Sequence, residues 1–361
     1  MKKRFSHISP IVVAVGIGAG VSAGILFTLS RQGTAPAMTL AYLSPLPIMI
    51  AMLGFGPFAG VASAIIASLT VGALVIPQNL HAWTWGLDTA ALTGLIFAMS
   101  LGLPALGLGF LAALSRPKGS SSWSITTTVG RSFSRDYAPV ERILATAVAI
   151  CSAITVAVTI YFSVQHGGPR AAFADAVAKV TPLIESVAGA DLPAGLKLED
   201  VAQLIVRAAA PLAAASSVLM LVLNLYLAGR AVEVSGRLPR PWPDIPRELG
   251  LPRSFAAAFV IAVAVCFIGG FTAYIAAIVA AALAMGFALQ GLAVMHFLSR
   301  GAKYRTPMLA AIYIGVFYLM RYGFPILLFV LIGLVDAAFA LRERKVKSAL
   351  SASEIKSKDH V

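Results

Sequence analysis

The sequence predicts an all-α, polytopic transmembrane helix bundle of about ten spans with both termini cytoplasmic. Three observations carry this reading. Of 361 residues, 59% are apolar and 12% charged, whereas an average globular domain is about one-quarter charged. The apolar residues fall in blocks close to the roughly 20 residues of helix that the hydrocarbon core of a bilayer requires. Barrel strands, about ten residues long and alternating in polarity, do not fit such blocks. Finally, Lys and Arg collect on one side of the resulting map.

The expected spans are 8–29, 37–53, 57–76, 82–114, 143–163, 208–228, 255–271, 274–298, 307–320 and 322–341. With the amino terminus inside, the cytoplasmic segments hold 22 of the 28 Lys and Arg residues. Positive charge resists translocation, so this split sets the orientation. Lys2, Lys3 and Arg4 precede an apolar run containing the small-residue pattern Val21-Ser22-Ala23, as in a cleaved signal. The run exceeds the usual signal core of about 7–15 residues, and a retained first span is expected. The block 82–114 is 33 residues long, roughly 50 Å of helix. A single crossing with a kinked or interfacial tail preserves the charge pattern; two crossings, with a break at Gly102 and Pro104, invert every later loop. Trp83 and Trp85 at its start suit an interfacial aromatic belt.

These spans divide into a four-span bundle (1–115), a basic cytoplasmic loop (116–142), a six-span bundle (143–341) and a disordered tail (342–361) rich in Lys and Ser. Outside the membrane, residues 164–207 carry Phe173, Val177, Val180, Ile184 and Val187 at helical spacing. Pro182 interrupts that pattern, so the segment reads as short amphipathic helices or as a plain connector. Pro239, Pro241, Pro243 and Pro246 make the loop after the sixth span stiff.

Ionisable groups inside spans are costly unless paired or hydrated. Asp336, deep in the tenth span, is the foremost ligand candidate, or else a structural partner for Arg321 or His296. Asp88 lies close enough to the interface to be hydrated, and His296 stands near the inner end of the eighth span. Gln290 shares a helix face with Ala282, Gly286 and Ala293. Ser152, Thr155, Thr159 and Ser163 form a stripe in the fifth span, as do Ser217 and Asn224 in the sixth; such residues glue helices or line a cavity. The run Ser44-Pro45-Leu46-Pro47 deletes helical hydrogen bonds, and interrupted helices either kink or line substrate sites. The ligand-binding candidates are therefore Asp336, Gln290, His296, Ser44, Pro45 and Pro47.

Gly16, Gly20 and Gly24, with Ala19 and Ala23 beside them, let another helix approach the first span closely, for internal packing or for docking a membrane protein partner. Gly56, Gly60, Ser63, Ala67 and Thr70 form a similar stripe in the third span. No G-x-x-x-x-G-K-[ST], H-E-x-x-H or G-x-S-x-G motif occurs, so no catalytic residue, metal ligand or cofactor is assigned and an enzyme is not expected. Cys151 and Cys266 sit in apolar blocks as small hydrophobes. The basic loops, which bring net charge to +13, attract anionic membrane lipids; nucleic-acid binding is not expected.

Tyr42-Leu43-Ser44-Pro45-Leu46-Pro47 with Gly54-Phe55-Gly56, the stretch Gln290-Gly291-Leu292-Ala293-Val294-Met295-His296, and Gly333-Leu334-Val335-Asp336 before Arg342 together resemble the YybS-like family of bacterial multi-pass membrane proteins, over residues 8–342. That resemblance implies a fold similar to the substrate-binding subunits of energy-coupling-factor vitamin transporters. It also implies small-molecule capture and a scaffold partner met by Ala19 and Ala23. The ten expected spans exceed the six usual for such subunits, and no vitamin-binding residue can be matched. The sequence thus leads to a transporter-like protein of the bacterial inner membrane. Its rivals are a non-transporting membrane scaffold and, third, an intramembrane lipid-handling enzyme or lipid translocator.

Overall fold

The computed structural model describes residues 9–75, 83–118, 123–125, 135–188, 197–319 and 324–358. About 85% of the described residues are helical. Among the described residues, seven helical segments are long and apolar enough to cross a membrane, as in an integral membrane protein. Two compact units emerge: residues 1–147 with 220–243, and residues 148–219 with 244–361.

The first unit contains α1 (Pro10–Thr28), α2 (Ala35–Tyr42), α3 (Pro45–Phe55), α4 (Pro57–Val75), α5 (Trp83–Phe97) and α6 (Leu103–Ala113). Pro10, Pro45 and Pro57 open their helices, where a missing N–H costs nothing and the fixed φ is already helical. Gly56, at φ +90°, turns the chain so that α4 starts directly after α3. Ile48, Met49, Met52, Val71, Phe97 and Leu108 form a core exposed by 1% or less.

The two small-residue stripes read from the first and third spans are halves of one crossing. A Cβ added to Gly20 would lie 2.6 Å from Ser63 O and 2.6 Å from Ile66 Cβ, and one on Gly24 2.7 Å from Thr70 Cβ. Gly16 likewise faces Ala59 and Ala62. Ala23 is fully buried, while Ala19 is half-buried. These glycines are thus spent on α4.

The block 82–114 is a continuous rod over its described part. Between α5 and α6, residues Ala98–Gly102 form a π-helical turn in which Leu103 N–H reaches back five residues to Ala98 O. The wide turn accommodates Pro104, which has no N–H to give, so of the two alternatives open for this block the break at Gly102 and Pro104 does not occur. Asp88 is exposed; the side chains of Trp83 and Trp85 lie outside the described residues.

Within the basic loop the structure holds a three-stranded antiparallel sheet with β1 (Leu114–Pro117) between β2 (Ser124–Ile125) and β3 (Arg135–Tyr137). Strands this short carry no readable alternation, which is why an all-α reading passed over them. The proline-rich segment ties onto the sheet: Tyr137 Oη donates to Pro239 O at 2.9 Å, and Arg240 donates to Ala138 O at 3.1 Å. Nearby, Arg230 stacks on Trp242 and Arg237 on Phe55.

The division between units falls inside α7 (Val140–Gln165) and α9 (Leu198–Val234). This division by contacts differs from the grouping expected from the sequence, which places a boundary at residues 116–142. The later part of α9 belongs with the first unit because Val232 packs on Gly54 and Asn224 reaches Tyr42, contacts no local pattern announces. The second unit adds α8 (Pro169–Ala188), α10 (Ile245–Glu248), α11 (Arg253–Cys266), α12 (Gly270–Leu298), α13 (Arg305–Leu319), α14 (Phe324–Phe339) and α15 (Leu341–Lys358).

Instead of short helices broken at Pro182, α8 continues through it. Phe173, Val177, Val180 and Ile184 pack against Ala202 and Val206 at the start of α9, and this apolar seam outweighs the lost hydrogen bond. The Val187 side chain lies outside the described residues. The tail expected to be disordered is helical over Leu341–Lys358. Its Ala, Leu, Lys, Arg and Glu content favours helix, and Lys345 Nζ anchors it by donating to Leu298 O and Arg300 O at 2.7 and 2.8 Å.

Outward faces are strongly apolar: Leu69 is 63% exposed, Phe267 85% and Phe317 80%. In water such surface would aggregate; in hydrocarbon it is the ordinary exterior.

The α1–α4 crossing generates a prediction. Gly20→Ala places a methyl against backbone and should cost about 1–3 kcal/mol by overpacking. Gly18, with nothing within 4 Å of an added Cβ, should accept alanine without loss. Thermal melts of both variants in one detergent check this; equal melting temperatures would contradict the packing assigned to Gly20.

Candidate functional site

Among the described residues, one buried polar locus stands out in each unit, and the two differ in whether side-chain oxygens are left without a partner.

The locus in the second unit is built by α12 and α14. Added Cβ atoms at Gly291 and Gly333 would clash with Phe329 O and Phe287 O, so the two backbones touch. That contact brings Gln290 alongside Asp336. Gln290 is 2% exposed and Asp336 5%. Asp336 Oδ2 accepts from Gln290 Nε2 at 2.9 Å and from Arg342 Nη2 and Nε at 2.8 and 3.1 Å. Its Oδ1 accepts from Arg342 N at 3.3 Å.

Arg342 can reach back because Ala340 adopts φ +50°, left-handed, and reverses the chain after α14. Its Nη1 donates to Arg247 O and Leu249 O, each at 2.8 Å, while Gln290 Oε1 accepts from Leu251 N at 2.9 Å. Both Asp336 oxygens and both Gln290 ends are therefore engaged, and the cluster clasps the loop around α10 to α12, α14 and α15. The partner of Asp336 is Arg342, not His296; Arg321 lies outside the described residues.

His296 is elsewhere, with Nε2 2.5 Å from Tyr313 Oη. Close by, Arg300 grips Asp244 with two hydrogen bonds of 2.5 and 2.6 Å. Those donors hold the Asp244 carboxyl below the usual carboxylate range, against the opposing effect of burial.

The locus in the first unit is the break between α2 and α3. Pro45 and Pro47 have no N–H, so Ala41 O and Leu43 O take shorter-range donors, Ser44 N at 3.1 Å and Leu46 N at 3.0 Å. Because Leu46 N is turned to Leu43 O, Tyr42 O loses its helical donor. Asn224 of α9 fills the gap: its Nδ2 donates to Tyr42 O at 2.8 Å and to Met220 O at 2.7 Å. Two carbonyl partners fix the amide orientation, since a flipped amide would put oxygen against oxygen.

Asn224 Oδ1 is thereby turned away from both. It is buried without a hydrogen-bond partner among the described residues, and so is Ser44 Oγ. Asn224 is 1% exposed and Ser44 0%. An unsatisfied buried polar group costs about 1–3 kcal/mol; this break leaves two such atoms without any partner, whereas both Asp336 oxygens have one.

Of the sequence candidates, Gln290 and Asp336 are thus brought together, Ser44, Pro45 and Pro47 form the break, and His296 joins neither. Asn224 was read only as part of a weak stripe; the proline-deleted donors upstream are the signal that such a side chain is required. Three members of the fifth-span stripe bond within their own helix: Ser152, Thr155 and Thr159 donate to Val148 O, Cys151 O and Thr155 O. No protein-family model, curated protein or solved structure matches the chain.

Removing one partner of a buried ion pair strands the other charge, at about 3–5 kcal/mol. Asp336→Asn and Arg342→Gln should each lower the melting temperature strongly, and the double variant should lose less than the sum. Additive losses in that double-mutant cycle would contradict the clasp.

Proposed function

We propose that this integral membrane protein performs transporter-like binding or translocation of a small molecule. The single observation that supports the reading is the pair of buried, unpartnered oxygens at an interrupted helix. Helix breaks inside membrane proteins are tolerated where neighbouring groups or a ligand re-satisfy the freed backbone, and here Asn224 does half of that work. The ligand locus is Ser44 with Asn224, in place of Asp336, both of whose oxygens have partners.

The finer topology belongs to the same proposal. Three helices of 14, 15 and 16 residues, α11, α13 and α14, join the seven longer ones to make ten spans. Both termini face the cytoplasm of a bacterial inner membrane, as the concentration of Lys and Arg supports. Kinship with the YybS-like family, and with it a scaffold partner, also belongs here. Since Gly16, Gly20 and Gly24 pack on α4, a partner on the first span would use its other faces.

Purification into nanodiscs followed by mass spectrometry of retained small molecules tests the functional reading. A metabolite held by the wild type and lost from Ser44→Ala is expected. An empty site with a stoichiometric protein partner would overturn it in favour of a membrane scaffold.

A further inference from the structure

The orientation of Asn224 restricts what can bind at the helix break. Its amide N–H atoms are consumed by Tyr42 O and Met220 O, so the atom left to a ligand is an acceptor. An anionic oxygen brought to that atom would be repelled, whereas a cation or an N–H or O–H donor would be held. The second free atom, Ser44 Oγ, presents lone pairs to a cation and can turn its hydrogen aside. Both groups are neutral and almost wholly buried.

We propose that Asn224 Oδ1 and Ser44 Oγ form a binding site for a small monovalent positive centre, an alkali ion or an ammonium group. This inference rests on the reading of the break as the ligand site and names the chemistry of its occupant. Divalent ions are disfavoured because they are held through carboxylates or imidazoles, and no cluster of three or more His, Cys, Asp or Glu side chains suited to a metal occurs among the described residues. A bare monovalent charge is matched by neutral hydroxyl, amide and carbonyl oxygens, which replace its hydration shell. The break supplies these, since Tyr42 O accepts from Asn224 Nδ2 and Leu43 O from Leu46 N, and a carbonyl oxygen carries a second lone pair.

The occupant could be a free ion or the ammonium head of a solute, and the test separates them. Full-length protein in nanodiscs is melted in sodium, potassium, methylammonium and choline chloride at equal ionic strength, for wild type, Ser44→Ala and Ser44→Thr. Ligand binding to the native state raises the melting temperature. The wild type should melt about 3–5 °C higher in sodium or in methylammonium than in choline, the better of the two identifying the source. Ser44→Ala should melt no lower than the wild type does in choline, because it removes only an unsatisfied hydroxyl, yet bind the favoured cation at least tenfold more weakly. Ser44→Thr should restore binding.

Identical melting in all four salts means that the break holds only water and overturns the inference, as does an undiminished cation effect in Ser44→Ala. The two proposals fail separately. Cation-dependent melting without any retained metabolite upholds this site and removes the solute reading; a retained metabolite without cation dependence does the reverse.

Discussion

Hydrocarbon offers no hydrogen bonds, and nearly every feature of this protein follows from that constraint. Its helices satisfy their own backbones, and the hydroxyls of Ser152, Thr155 and Thr159 in α7 bond within their own helix. Where the backbone is interrupted, a side chain must intervene, and Asn224 does so at Tyr42. Where a carboxylate is buried, it draws in a guanidinium and an amide until both oxygens are occupied, as at Asp336. Helix association in lipid cannot rest on hydrophobic burial alone, because lipid tails are as apolar as the helix surface. Glycine contacts supply it instead, at Gly20 against Ser63 and at Gly291 against Gly333.

The two polar loci answer the same constraint with opposite results. At Asp336 a loop, three helices and an arginine close a network in which both carboxylate oxygens have partners, which is the signature of a clasp. The left-handed Ala340 is the strained residue that clasp holds in place. At Ser44 and Asn224 the repair stops halfway, and two oxygens stay without partners. Burial of a charged residue is therefore the weaker pointer to function here, and incompleteness of hydrogen bonding the stronger one.

Local chemistry made much of this legible in the sequence. The described helices lie close to the apolar blocks because block length and helix rise are both local properties. Ser44-Pro45-Leu46-Pro47 announced a break because proline removes a donor wherever it stands, and the face of Ala282, Gly286, Gln290 and Ala293 is buried as its spacing implied. What stayed hidden was pairing at a distance. Asn224 and Tyr42 are 182 positions apart, and Arg342 turns back to Asp336 only because Ala340 takes a backbone conformation alanine rarely adopts. The strands at residues 114–137 are too short for a period, and the helicity of the tail was masked by its charge.

The account rests on lipid as the solvent of the outer helix faces. The most direct measurement is spin-label accessibility along α4 in bilayers, with Cys151 and Cys266 replaced. A label at Leu69, 63% exposed, should collide readily with oxygen dissolved in the membrane and rarely with a water-soluble relaxant, while one at Ala67, 0% exposed, should meet neither. Ready collision with the water-soluble agent at Leu69 would contradict it.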